Sequence, residues 1–217
     1  MELLLLPGMD GTGKLFAPFL KQLPSHLRPR VVAYPRDRVL TYSQLLKEIE
    51  IPDAPFAIIA ESFSGPIAIQ LAARSREAQA LVLIASFARM PTALLAPLCR
   101  LMGGSWLFRI GIPFFAMRFL LLGPDAGHAE EAEVRAVLGS VRPAVLAGRL
   151  REVASVDVRA DFARLEIPKI YIAGRRDRLL GTAAVKELAI LRPDMKTVFL
   201  HAPHLVLQTR PAEVNDG

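Results

Sequence analysis

Six short apolar runs, spaced along the chain and separated by helix-like stretches, constrain the fold more than any other feature. Leu3-Leu4-Leu5-Leu6, Phe56-Ala57-Ile58-Ile59-Ala60 and Ile170-Tyr171-Ile172-Ala173 are continuously apolar rather than alternating. A strand with one wet face alternates in polarity, whereas a strand covered on both faces does not. Strands are therefore expected over 2–6, 30–34, 56–60, 80–85, 169–173 and 196–200. Helices are expected over 15–23, 41–49, 65–74 and 182–191, with a short one near 204–208. Strand and helix alternate, so right-handed crossovers place helices on both sides of one mainly parallel sheet.

One junction carries chemistry. The third run leads through Ala60-Glu61-Ser62-Phe63-Ser64-Gly65 straight into the helical pattern Pro66-Ile67-Ala68-Ile69-Gln70-Leu71. A serine between a buried strand and a helix, with small residues two positions to either side, has the pattern of a nucleophile elbow. The turn is sharp enough to strain the serine backbone, and larger flanking side chains would hold strand and helix apart. The usual flanking residues are glycines; here they are Ala60 and Ser64. The competing assignments are a serine-rich loop capping a helix, and Ser64 as the nucleophile. The second would put Pro66 at the small-residue position.

Two further strand ends supply matching groups. The run ending at Gly174 is followed by Arg175-Arg176-Asp177-Arg178, and the run ending at Leu200 by His201-Ala202-Pro203-His204. A serine nucleophile needs a base within hydrogen-bond reach, and the base needs an acid to hold its tautomer. The order serine, acid, histidine, each after a strand, brings these groups to one sheet edge. His204 lies in the loop and is preferred as base over His201, which ends the strand. His26 and His128 are expected at the surface, and Asp37, Asp157 and Asp161 as loop or capping residues rather than as the acid.

In these motifs the chain resembles the α/β-hydrolase superfamily, close to the serine carboxylesterases with a helical lid, from Glu2 to about Val214. The resemblance implies an α/β-hydrolase fold with a trimmed six-stranded sheet lacking the family's first antiparallel hairpin. It also implies a catalytic triad of Ser62, Asp177 and His204. The family's oxyanion loop follows the first core strand and usually reads His-Gly-x; here Pro7-Gly8-Met9 occupies that place. By this match the backbone N–H groups of Met9 and Phe63 form the oxyanion hole. Gly8 to Gly13 lacks the Gly-Lys-Ser/Thr ending and the spacing of the nucleotide fingerprints, which sets aside a phosphate-binding loop.

Between residues 88 and 160 the strand–helix alternation breaks into helical patterns over 92–102, 106–122, 129–138 and 143–153. The family inserts its lid at this point. The expected organisation is a core of 1–87 and 161–217 with an inserted lid over 88–160. Trp106, Phe114 and Phe115 are the expected wall of an acyl pocket. A transmembrane helix is the rival reading of this apolar stretch, but Arg109, Gly111, Pro113 and Arg118 interrupt it.

Composition narrows the classes. A chain of 217 residues with 52% hydrophobic residues holds one well-filled core and is not a disordered segment. A lone Cys99 makes no internal disulfide. The short Leu run has no basic region before it and stops at Pro7-Gly8, so a signal peptide is not expected and cytoplasm is the default. No metal-ligand spacing is present, and serine chemistry needs no cofactor. The net charge of +6 comes with no nucleic-acid recognition motif. Arg100, Arg109, Arg118, Arg135, Arg142, Arg149 and Arg151 all fall in the expected lid. They are either solvated helix faces or a docking surface for an acidic partner such as an acyl carrier protein. The expected function is hydrolysis of small to medium carboxylic esters. Alternatives are an acyl-carrier-protein methyl esterase or thioesterase, and a hydrolase-fold binding protein without activity; a complete triad argues against the last.

Overall fold

The computed structural model describes residues 1–91, 118–124 and 126–216, with side chains to residue 214. Six strands form one sheet in the order β2-β1-β3-β4-β5-β6, and every neighbouring pair is parallel. They are β1 (Glu2–Leu6), β2 (Arg28–Val31), β3 (Phe56–Glu61), β4 (Ala78–Ile84), β5 (Lys169–Gly174) and β6 (Lys196–Leu200). The described helices are α1 (Ala17–Leu20), α2 (Tyr42–Glu48), α3 (Gly65–Arg74), α4 (His128–Gly139), α5 (Pro143–Ser155), α6 (Arg159–Ala163), α7 (Ala183–Leu191), α8 (Val206–Thr209) and α9 (Pro211–Asp216). Short 3₁₀ turns precede α1 (Lys14–Phe16) and α3 (Ser62–Ser64), and Arg118–Leu122 forms one π-helical turn.

The pleat sorts each apolar run into two cores. Leu4, Leu6, Ile58, Ala60, Leu81, Leu83 and Tyr171 pack with residues of α2, α3, α6 and α7 on one face. Leu3, Leu5, Ala57, Ile59 and Ile172 pack on the other face with Phe16, Phe19, Val206 and Leu207. This two-sided burial is why the strands read as unbroken apolar stretches. The order reverses between β1 and β3: the chain first moves outward to β2, then jumps back across β1. The two strand ends at such a switch point diverge and leave a crevice.

Several boundaries differ from expectation. The second strand was expected over 30–34 and lies at Arg28–Val31. Beyond it the backbone turns to brace the loop after β1, with Tyr34 N–H donating to Gly11 O at 2.7 Å. The helix expected over 15–23 is a 3₁₀ turn plus α1, and its end frays into Gln22→Phe19 and Leu23→Leu20 turns. Pro24 disfavours helical geometry at Leu23. β4 ends at Ile84 because Ala85 takes φ 45°, a left-handed conformation. The helix near 204–208 starts at Val206, since His204 is held in the preceding loop. α6 was not expected. Of the helices expected over 92–102 and 106–122, only residues 118–122 fall among those described. The two ends of the stretch between β4 and α6 are pinned together by the Arg89–Asp157 bridge and by Val158 N–H donating to Ala88 O at 3.0 Å.

Candidate active site

β3 delivers Ser62 into a turn where its φ is +48°. For a residue with a Cβ this conformation costs on the order of 1–3 kcal/mol and persists only where the surroundings enforce it. Ser86 Oγ does so from behind by donating to Ser62 O at 2.6 Å. Ser86 is itself held by Tyr171: its N–H donates to the phenol oxygen, and the phenol O–H donates to Ser86 O at 2.7 Å. A Cβ on Gly65 would stand 1.9 Å from Ser86 Oγ and 2.9 Å from Phe87 O. The bare glycine is what lets β4 and α3 meet behind the serine.

The three expected groups converge. Ser62 Oγ lies 2.8 Å from His204 Nε2, and His204 Nδ1 lies 2.9 Å from Asp177 Oδ2. The second Asp177 oxygen accepts the Leu179 and Leu180 N–H groups at 2.8 and 3.0 Å. Burial pushes the Asp177 carboxyl upward, but His204 and those two amides outweigh it and hold it below its ordinary range. Asp177 and His204 meet because Gly174 has no side chain: a Cβ there would lie 2.3 Å from Pro203 O and 2.5 Å from Ala202 O.

Ser64 is completely buried. Its hydroxyl donates to Pro7 O and accepts from Tyr34 O–H at 2.7 Å. It ties the loop after β1 to the turn after β3 and has no open face for a reacting carbonyl. His201 is exposed, whereas His204 is 2% exposed. Asp157 pairs with Arg159 and Asp161 with Arg164 at the surface.

Met9 and Phe63 line one cavity together with Ser62 and His204. The cavity holds about 200 Å³, with Met90, Leu120, Leu121, Val134, Leu138 and Leu150 among its apolar walls. These residues were not identified from sequence as pocket lining; their helical spacing reads equally well as ordinary core. Trp106, Phe114 and Phe115 lie outside the described residues. Phe119, from the same stretch, is 57% exposed and lies under the Arg178 guanidinium, 3.9 Å from its ring centre. Among the described residues no cluster could hold a metal, and no helix is long and apolar enough to cross a membrane.

Sequence reasoning missed two buried carboxyls and one buried cation. Asp10 and Glu61 both line the cavity, 3% and 2% exposed. Asp10 Oδ1 accepts from Thr12 N and Oγ1 at 2.8 and 2.6 Å, yet burial still raises its pKa. Burial, then repulsion from Asp10, pushes the Glu61 carboxyl up to about 7 against the opposing effects of Gln208 and His204. Glu61 Oε1 has no hydrogen-bond partner among the described residues. The only sequence signal was its position just before the serine. Arg149, expected on a solvated helix face or in a docking surface, is 2% exposed; both expectations are corrected for this residue, because its guanidinium points inward.

Glu61 sets a pH dependence of stability. Its folded pKa lies above the ordinary value, so the folded state holds a proton that the unfolded chain releases. Stability therefore falls as pH rises from 4.5 to about 7 and levels off above. Glu61→Gln, the neutral isostere, is expected to be more stable than the parent at pH 8 by at most about 3 kcal/mol. The two should coincide near pH 4.5. Urea unfolding at the two pH values checks this; equal gains at both would remove the assignment.

Comparison with known proteins agrees with this fold. A family model described as the alpha/beta hydrolase family matches residues 3–216. A pimeloyl-[acyl-carrier protein] methyl ester esterase of Xanthomonas oryzae pv. oryzae is 26% identical, covering 94% of this chain and 88% of that protein. One from Xylella fastidiosa is 25% identical over 94% of this chain and 89% of its own length. Among solved structures, a thermophilic esterase from Thermogutta terrifontis superposes with a TM-score of 0.83 at 18% identity, covering 100% of this chain and 87% of that one. The enol-lactonase from Burkholderia xenovorans LB400 gives 0.82 at 19% identity, covering 99% and 88%. At these identities the structural likeness speaks for the fold.

Proposed function

Because the chain belongs to the alpha/beta hydrolase family, we propose that it hydrolyses carboxylic esters through an acyl-enzyme on Ser62. The observation that carries this is the unbroken relay from Ser62 Oγ to His204 Nε2 (2.8 Å) and from His204 Nδ1 to Asp177 Oδ2 (2.9 Å). Ser62 Oγ attacks the ester carbonyl and passes its proton to His204 Nε2. Asp177 accepts the Nδ1–H, holds the tautomer and stabilises the imidazolium. The Met9 and Phe63 N–H groups take up the oxyanion; Phe63 is in the first turn of a helix, where N–H groups lack intrahelical acceptors. The intermediate collapses, the alcohol leaves with the proton from His204, and water repeats the sequence on the acyl-enzyme.

In this reading residues 88–160 are a lid on a core of 1–87 and 161–217. The cavity of about 200 Å³ takes the acyl chain. Each buried methylene contributes about 0.8 kcal/mol, so kcat/KM should rise about threefold to fourfold per added carbon across p-nitrophenyl esters. The rise should stop at short to medium chains, when the cavity is full. A flat profile across chain lengths, with Ser62→Ala as blank, would remove this cavity as the acyl pocket.

A narrower reading is a methyl esterase acting on an acyl chain borne by an acidic carrier protein. The support is the likeness to the pimeloyl-[acyl-carrier protein] methyl ester esterases, 25–26% identical over 94% of the chain, with the net charge of +6. Steering by exposed charges is screened beyond about 10 Å at 0.1 M salt. Turnover of a carrier-linked methyl ester should then fall steeply with salt, while a small neutral ester stays nearly constant. Equal responses would leave the small-ester reading.

A further inference from the structure

The strongest unexplained feature is a buried guanidinium beside the cavity. Arg149 projects from the middle of α5, a helix whose Val153 joins the main core, and is 2% exposed. Nη1 donates to Met9 O at 2.7 Å and to Asp10 O at 2.8 Å, and Nη2 donates to Pro35 O at 2.9 Å. The guanidinium carbon sits 5.9 Å from the Phe63 ring centre and 5.7 Å from that of Tyr34. Its hydrogen bonds among the described residues thus go to carbonyls. Burying a cation on carbonyls is an expensive way to hold a helix down, since an apolar side chain would pack α5 without the desolvation cost.

What the guanidinium grips is specific. Met9 and Asp10 form the loop after β1, and Met9 also packs on Val141, Val145, Leu146 and Ala147 around the start of α5. Gly11 makes room for the grip. Its φ is +68°, and a Cβ there would lie 2.6 Å from Nη1 and 2.8 Å from the guanidinium carbon. One turn on, at the same face of the helix, Glu152 Oε2 accepts the Tyr42 N–H at 2.8 Å. Tyr42 in turn stacks on Phe63, with ring centres 4.7 Å apart, and donates its O–H to Phe63 O at 2.9 Å. The two backbone segments that would supply the oxyanion donors are therefore both tied to α5: Met9 directly through Arg149, Phe63 through Tyr42 and Glu152.

We propose that Arg149 is a positioning residue of the oxyanion hole: docked against the loop after β1, its guanidinium holds the Met9 segment in register with Phe63. This rests on the ester-hydrolase reading above. The hole works only when its donors are set in advance at the place where negative charge develops. The loop after β1 is braced on either side of Met9, by the link from Ser64 to Pro7, by Gly11 N–H on Gly8 O at 3.0 Å and by Tyr34 N–H on Gly11 O at 2.7 Å. Arg149 adds the bond to the Met9 carbonyl itself, at 2.7 Å. The hole is then assembled only while α5 is seated, which couples this helix to catalysis.

Arg149→Met keeps the apolar stem and removes the fork; Arg149→Lys keeps the charge but not the paired donors. Both should lower kcat for p-nitrophenyl butyrate about 100-fold, with KM within about threefold, and weaken an alkylboronic acid transition-state analogue by a similar factor. Added guanidinium chloride at low millimolar concentration should restore part of kcat in Arg149→Met. Gly11→Ala should reproduce the kcat loss, because its Cβ occupies the guanidinium's place. Hydrogen exchange at the Met9 and Phe63 amides reads the same support without turnover and should quicken at least tenfold in Arg149→Met. A parent enzyme inert toward esters, with exchange still quickened, would overturn the hydrolase reading and keep the support. An active parent matched by Arg149→Met in kcat and exchange would overturn the proposal. Failure of both Arg149 variants to fold would make Arg149 a structural strut and overturn it as well.

Discussion

Ser62→Ala is expected to lower kcat on a p-nitrophenyl ester by about 10⁴-fold or more, with thermal stability equal to or above that of the parent. The size follows from how a nucleophile, base and acid act together: removing the attacking atom forfeits the covalent step, and only oxyanion stabilisation and binding remain. Stability is kept because the strain at φ +48° is the same for serine and alanine, which both carry a Cβ, and because alanine keeps the bond from Ser86 Oγ to the carbonyl at 2.6 Å. Ser64→Ala is the contrasting variant. Its hydroxyl bridges Pro7 O and Tyr34, so its loss should cost stability of about 1–3 kcal/mol from an unsatisfied buried carbonyl and phenol. A fluorophosphonate adduct should map to Ser62 in the parent and be absent in Ser62→Ala. An adduct on Ser64, or a loss below tenfold in Ser62→Ala, would end the assignment.

Asp177→Asn should lower kcat by about 10⁴-fold while the fold survives, a magnitude known for this change in serine proteases. The local hydrogen bonds say why an isosteric change is so costly. Asp177 Oδ1 accepts two backbone N–H groups, from Leu179 and Leu180, at 2.8 and 3.0 Å. Those amides require an acceptor, so an asparagine is held with its carbonyl toward them and its NH₂ toward His204. The NH₂ can only donate. His204 Nδ1 must then accept, which moves the ring proton to Nε2 and leaves that nitrogen unable to take the proton of Ser62. Kinetics with circular dichroism on the same sample checks both halves. A loss under tenfold with the fold intact would show that Asp177 does not set the tautomer.

Much of this site was legible in the residues because its parts sit at strand ends. Continuous apolar strands announce a doubly covered parallel sheet, and groups following three of them must come out on one edge. Gly65 and Gly174 sit at close approaches that a Cβ would block, with contacts of 1.9 and 2.3 Å; in sequence the second read only as the end of a strand. Edges with other bonding options were less legible. Residues 32–34 look like strand by composition, yet Tyr34 bonds Gly11 instead, because an outer strand has a partner on one side only and can leave it cheaply.

The sequence by itself determined the sheet, its two-sided cover and the order of serine, acid and histidine, since these rest on local pattern and on chain order along the sheet. The small-residue frame already pointed to Ser62; tertiary structure decided what closes around Ser64, whose hydroxyl is buried against Pro7 and Tyr34. It also decided that Arg149 is buried and that burial lifts the Glu61 carboxyl to about 7. In sequence an arginine on a polar helix reads as solvated, and a glutamate reads as charged. Their partners, Met9 and Asp10 for one and Asp10 and His204 for the other, lie 51 to 143 positions away along the chain. Burial and electrostatics depend on distance through space, and no local pattern encodes a contact that only the closed fold creates.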